Sequence, residues 1–381
     1  MNRRHFFLTL GLGAAALAAT ATLARKQSSG SRPPRIVTTK TNAYLIGKIE
    51  PVLTGKIREV KPAPGGRYAL ITQDLRPEPT DDVKDQFGEQ KLWLYDALRR
   101  TTKLIDRVQD DPATQTHQDI VQMLWFPGTK RAIVFRVGIR SLPEMKLDVK
   151  GQVGIFDVDR GVIRWISGLP AQFMMAREVT GLPGVLLIWG PDDASMPRFY
   201  SVLTSDGTLT PLAKLVSNGN VRVLGVSLDK KRLFIRMATF EKLEERFVRK
   251  ETWATIEISQ GTVTPLSAAP KKEEMISNTL EKPAPKLALT LSADAAKLTG
   301  QAGRSANTNA LWLEAREPGP EKKFVRGLVA AEAESDYLLP DLSTVLYTHD
   351  DVLYAAPIVS LDRLAFEKMM KELAMSNAKQ T

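Results

Sequence analysis

The chain of 381 residues has no cysteine and only three histidines, His5, His117 and His349. The first absence excludes disulfides, thiolate-bound zinc, iron–sulfur clusters, thioether-attached haem and cysteine nucleophiles. The second leaves no multi-histidine metal site, and no cofactor is implied. Acidic residues are missing before Glu50, whereas that stretch carries Arg3, Arg4, Arg25, Lys26, Arg32, Arg35, Lys40 and Lys48. The formal charge of +10 is therefore mostly an N-terminal property. The remaining body is nearly neutral and lacks the broad basic face that phosphate backbones require, which speaks against a nucleic-acid partner. Catalytic signatures are missing as well: there is no G-x-S-x-G elbow, no H-E-x-x-H and no G-x-x-x-x-G-K-[ST].

Residues 1–24 have the parts of an export signal, a basic start followed by an uncharged run and small residues at two cleavage sites. Arg3, Arg4 and Phe6 resemble the twin-arginine motif, with His5 in its variable place. Export places the protein in the periplasm or outside the cell. Retention of the segment as a membrane tether is the alternative, since about 20 apolar residues can span a bilayer. Residues 25–35 then read as a flexible linker.

Past residue 36 helical periodicity nearly disappears, and short β-branched and aromatic runs alternate with Gly, Pro and Asp turns. A unit of four strands recurs about six times, with tight turns after its first and third strands. Its first copy holds Pro64-Gly65-Gly66-Arg67, Tyr68 to Ile71 and Leu92-Trp93-Leu94-Tyr95-Asp96; Pro127-Gly128-Thr129-Lys130 and Asp159-Arg160-Gly161 mark the second. Units of this size predict an all-β chain, a β-propeller of six four-stranded blades over residues 36–358, with five or seven blades as alternatives. The fifth copy is expected at Leu287 to Leu291, Lys297-Leu298 and Ala310 to Leu313. The run from Tyr44 to Ile49 has no copy of its own, so it is expected to close the last blade and remove its exposed edge. Residues 359–381 predict a short amphipathic helix capped by Ser360, with Phe366, Met369, Met370 and Leu373 on one face.

The Pro-Gly-Gly-Arg turn followed by Leu-Trp-Leu-Tyr-Asp resembles the TolB-like family of propeller repeats, and Pro340-Asp341 and Leu311-Trp312-Leu313 match it in part. The resemblance implies a propeller and no particular chemistry, because these motifs end strands and fill space between blades.

Long connections fall after the second strand of a unit or between units, at 75–90, 110–118, 138–151, 190–197, 238–250 and 267–285. In a blade meander both kinds emerge at one face, where binding sites concentrate. The last of them reads as a disordered excursion. Side chains available there for binding are Asp81, Asp110, His117, Arg140, Asp192, Arg304, Asn307 and His349. The reading this favours is a non-catalytic, monomeric exported propeller that binds a protein, peptide or envelope glycan. The alternative is a hydrolase or lyase using paired carboxylates, with Asp82, Asp111, Asp193 and Asp350 as candidates.

Overall fold

The computed structural model describes residues 35–77, 87–141, 147–167, 169, 174–190, 198–215, 221–243, 246–277, 287–292, 309–317 and 324–378. Three short N-terminal strands, β1 (Ile36–Thr38), β2 (Asn42–Ile46) and β3 (Glu50–Thr54), precede the repeats. Four sheets then follow in chain order, each an antiparallel meander. They comprise β4 (Ile57–Pro62), β5 (Tyr68–Asp74), β6 (Glu89–Asp96) and β7 (Thr101–Gln109); β8 (Thr116–Trp125), β9 (Arg131–Ser141), β10 (Leu147–Asp157) and β11 (Val162–Trp165); β12 (Met174–Glu178), β13 (Val185–Trp189), β14 (Arg198–Leu203) and β15 (Leu209–Leu215); and β16 (Val221–Ser227), β17 (Arg232–Leu243), β18 (Arg246–Glu257) and β19 (Val263–Leu266). The fourth sheet gains β20 (Met275–Ser277) on the outer edge of β16. A fifth sheet shows three described strands, β21 (Leu287–Ser292), β22 (Asn309–Arg316) and β23 (Phe324–Ala333).

The last sheet joins the two ends of the chain. It orders β24 (Ser335–Leu338), β25 (Thr344–His349) and β26 (Val352–Asp362), and β2 and β3 both pair antiparallel with β26. Burial explains why these residues form such sheets. Second strands are apolar on both faces, as in β5, buried from Ala69 to Gln73, and β13, buried from Val185 to Ile188. Fourth strands such as β7 and β11 are mostly exposed or half-exposed. Strands covered on both faces inside, with a solvated outermost strand, are what blades produce. The fold is a β-propeller of six sheets, closed in the last sheet by the N-terminal strands as the sequence led us to expect.

Two compact units divide the chain. One holds residues Met1–Ile71, Leu94–Lys103 and Pro283–Thr381, the other Thr72–Trp93 and Leu104–Lys282. The first has its core around Val37, Tyr44, Leu311, Leu313, Val345 and Ile358. The second has cores around Leu186, Tyr200, Val226 and Ile256, and around Phe126, Ile133, Phe135 and Leu187. At roughly 25 cal/mol per Å² of apolar surface, such clusters dominate the stability of each unit.

Several expectations about detail change. The segments 138–151 and 238–250 are largely strand: β9 and β10 pair from Arg131 to Leu147, and β17 and β18 pair out to Leu243 and Arg246. Charged residues are frequent in both segments, and Arg140, Lys150, Arg249 and Lys250 are exposed, so the composition resembles that of a polar loop. The supposed excursion at 267–285 contains a turn of 3-10 helix, Lys272–Glu274, and β20. In the fifth sheet β21 pairs directly with β22, and the expected strand at Lys297-Leu298 lies outside the described residues. The strand β23, rich in alanine and interrupted by Gly327, was not anticipated. At the C-terminus, Ser360 lies in β26, which β2 holds extended through Asp362. The helix α1 (Arg363–Ala378) begins after it, and Asp362 caps it by accepting the Ala365 N–H at 2.8 Å.

Candidate functional site

Two groups of polar side chains stand where a second strand gives way to a third, beside a link between sheets. The first lies in the second unit. Arg76, just after β5, donates from Nε and Nη2 to the two carboxylate oxygens of Asp110 at 2.8 and 3.0 Å, and from Nη1 to Asp119 at 2.7 Å. Its Nη2 also reaches the Gln118 carbonyl. Asp110 is fully buried and accepts two backbone N–H groups besides, from Gly88 at 3.0 Å and Gln118 at 2.7 Å. Buried Gln90 bridges Asp74 and Asp119 and accepts the Ile120 N–H. Burial alone would raise the Asp110 pKa, yet the Arg76 hydrogen bonds, the two N–H donors and the Arg76 charge hold it below the usual aspartate range. Burial likewise opposes the charge on Arg76, and Asp110 and Asp119 more than offset it. This corner is saturated. With every oxygen of Asp110 occupied, it has no lone pair to offer a substrate, and its work is to pin the sheet link to the loop.

His117 sits at the start of β8, its Nδ1 3.6 Å from Asp110, and its ring stacks on Phe87 with centroids 4.8 Å apart. It is a packed strand residue, not a solvated loop histidine. Asp111 is exposed and serves its own turn, accepting the Ala113 N–H and the Thr114 hydroxyl. Arg140 is exposed on β9, opposite Thr116 and Asp148. Thus the sequence candidates Asp110 and His117 are brought together, while Arg76, Asp119 and Gln90, which organise the corner, were missed. Paired aspartates drew attention; an arginine after a strand gave no signal of its own.

The second group lies in the first unit. His349 ends β25, and Asp350 and Asp351 form the two-residue turn to β26, both with positive φ (48° and 57°) as primed hairpin turns require. The His349 Nε2 is 3.1 Å from Glu332 Oε2 and 3.2 Å from Asp350 Oδ2. Glu334, in the link from β23 to β24, brings a carboxylate oxygen so that Glu334, His349 and Asp350 offer ligand atoms within 4.8 Å of one another. One imidazole among carboxylates is a donor set that first-row divalent cations accept. Among the described residues, the buried His349 Nδ1 has no hydrogen-bond partner. That lone atom argues against tight metal ligation, in which the second ring nitrogen normally donates to an oxygen. Nearby Asp336 is raised in pKa by burial.

Of the remaining candidates, Asp81, Asp82, Asp192, Asp193, Arg304 and Asn307 lie outside the described residues, as do Arg3, Arg4 and Phe6. The sequence repeats instead account for a structural device. Arg67 at the start of β5 grips Asp96 at the end of β6 with two bonds of 3.1 and 2.8 Å, and Asp96 also caps its turn through the Leu98 and Arg99 N–H groups. Arg131 and Asp157 repeat the arrangement in the second sheet. Each clasp ties the first tight turn of a sheet to the second.

These sheets and clasps define the protein's class as a β-propeller. No protein-family model matches the chain, and no curated protein matches it in sequence. Among solved structures, TolB from Acinetobacter baumannii is similar with a TM-score of 0.29 and 11% identity, over 74% of this chain and 55% of that one. The chain thus spans about 55% of the length of TolB. The Dos1 propeller gives 0.30 and 7%, over 86% and 93%, and the Penicillium chrysogenum α-L-arabinanase complexed with arabinobiose gives 0.30 and 10%, over 84% and 98%. Likeness at this level carries no argument about activity; the class rests on the strand pairing.

Proposed function

We propose that the chain is an exported, non-catalytic propeller that binds a protein or peptide at the loop ends of its sheets, with the β17–β18 ribbon as principal contact. The supporting observation is the length of that ribbon. The pairing of β16 stops opposite Met237 and that of β19 opposite Trp253, while β17 and β18 continue together to Leu243 and Arg246. Among the described residues, nothing pairs with the outer edges of this extension. Val248, 45% exposed, stands there beside exposed Arg249 and Lys250. A ribbon with free edges offers backbone groups for strand addition, with alternate side chains for selectivity. That geometry favours a peptide strand over an envelope glycan, which presents no matching ladder of donors and acceptors.

Replacing residues 239–250 by Asn-Gly would shorten the ribbon to the Ala238–Glu251 pair. The expected result is loss of partner cross-linking in the cell envelope by at least about tenfold, with β circular dichroism and melting temperature kept. Undiminished cross-linking would end this reading. A carboxylate hydrolase or lyase is the second reading, and the group around His349 is what favours it. Turnover of a glycan or peptide library that His349→Ala abolishes and ribbon trimming spares would establish it instead.

A further inference from the structure

The helix α1 packs one side on the last sheet, and among the described residues nothing covers the other. Phe366 is buried against Ala43 and Leu45, with Ile36, Val359, Leu361 and Met369 around it. On the opposite side Leu364, Lys368, Lys371 and Met375 recur at i, i+4, i+7 and i+11, the spacing of a single helical stripe. Leu364 is 79% and Met375 63% exposed, which is unusual for side chains of that size. Glu367 is taken by Arg363 at 2.7 Å, and Glu372 is the other acid of the helix. Among the described residues neither Lys368 nor Lys371 has an ion-pair partner.

The described chain begins on the packed side of this helix. Ile36, the first residue of β1, belongs to the same small cluster as Phe366, and exposed Arg35 precedes it. The sequence leading to that point has no acidic residue, carries Arg25, Lys26 and Arg32, and includes the uncharged apolar run 6–24. Arg35 is the described end of that approach, beside the sheet on which α1 packs.

We propose that the outward stripe of α1 is a docking face for an anionic phospholipid surface. Leu364 and Met375 enter the boundary between headgroups and acyl chains, while Lys368 and Lys371 extend along the stripe to the lipid phosphates. The helix lies on the surface: no helix of the described residues is long and apolar enough to cross a membrane. With Glu367 neutralised by Arg363, the excess of Lys368 and Lys371 over Glu372 on α1 selects anionic over neutral lipid and disfavours a basic peptide as the occupant. This inference is independent of the β17–β18 ribbon.

The absence of native cysteine makes the test direct, because a single introduced thiol can carry an environment-sensitive fluorophore in the full chain. One variant is Met375→Cys. The control is Gly65→Cys, in an exposed turn where an added Cβ meets nothing within 4 Å. Phosphatidylglycerol-containing vesicles are expected to shift the Met375→Cys fluorophore to the blue and expose it to headgroup-level quenchers, with no response at Gly65→Cys. Pure phosphatidylcholine should give neither. Adding Lys368→Gln and Lys371→Gln should raise the lipid needed for half response roughly 30-fold, since each lysine near an anionic surface is worth a factor of about five. Three outcomes overturn the proposal: silence at Met375→Cys, equal responses at both positions, or an equal response on neutral lipid. A shift on protein self-association without vesicles would assign the face to a second copy.

Discussion

The corner around Arg76 and the corner around His349 occupy comparable places in their sheets, yet they are chemically opposite. Around Arg76 a guanidinium spends its donors on two carboxylates and a carbonyl, and buried Asp110 receives four hydrogen bonds. Around His349 one imidazole faces Glu332, Glu334 and Asp350, with a buried ring nitrogen left over. The same position in a meander can thus be a saturated fastening or a cluster of carboxylates around a single imidazole. What decides is whether a cation with enough donors is supplied. Saturated polar groups rigidify; unsaturated ones remain free to respond to a ligand.

The contrast is broken most severely by Asp110→Ala. It leaves the Arg76 charge short of its main partner and strands the Gly88 and Gln118 N–H groups, so unfolding by urea should show a loss of about 3–5 kcal/mol. A loss below about 1 kcal/mol would mean that water replaces the carboxylate and the corner is no fastening. The pH dependence follows from the same group. Because the folded pKa of Asp110 is depressed, its contribution is complete above the ordinary aspartate range and is lost as pH falls through the folded value. Acid unfolding of Asp110→Ala should accordingly be shallower than that of the parent.

A smaller effect is expected from Asp96→Ala, which removes the two bonds to Arg67 and the turn cap; about 1–2 kcal/mol is predicted by thermal or urea unfolding. Smallest, and opposite in sign, is Asp336→Asn beside the His349 corner. Burial raises the Asp336 pKa, so the folded state binds that proton more tightly, and ionisation costs stability once pH rises above the unfolded value. The variant should melt slightly higher than the parent at neutral pH and equally at pH below the aspartate range. A lower melting temperature at neutral pH would show that the Asp336 carboxylate has a compensating partner.

The regular parts of this fold were legible because each is a local matter. Tight turns at Gly66 and Gly261 need left-handed backbone, with φ of 77° and 68°, and a Cβ at either would collide with a neighbouring chain segment, Asp341 or Leu212. Alternation and turn chemistry therefore revealed the meander and its repeat. Loops were harder: the outer parts of β9–β10 and β17–β18 are rich in charged residues, so the pattern that announces a half-buried strand is weak in them. The start of α1 was misplaced for a related reason. Ser360 and Asp362 are both competent caps, and only the pairing of β2 along Ile358 to Asp362 keeps Ser360 in a strand.

Sequence alone determined that this chain would be all-β, built from repeated four-stranded units, free of thiol chemistry and basic chiefly at its N-terminus. Those properties follow from residue type and spacing over a few positions, where sterics and burial act directly. Tertiary structure decided which polar residues meet. Arg76 finds Asp110 across 34 positions and Arg67 finds Asp96 across 29, while His349 reaches Glu332 from the neighbouring sheet. Such partners are chosen by the register of strands and the route of links between sheets, and hydrogen bonds form only where that geometry places donor against acceptor.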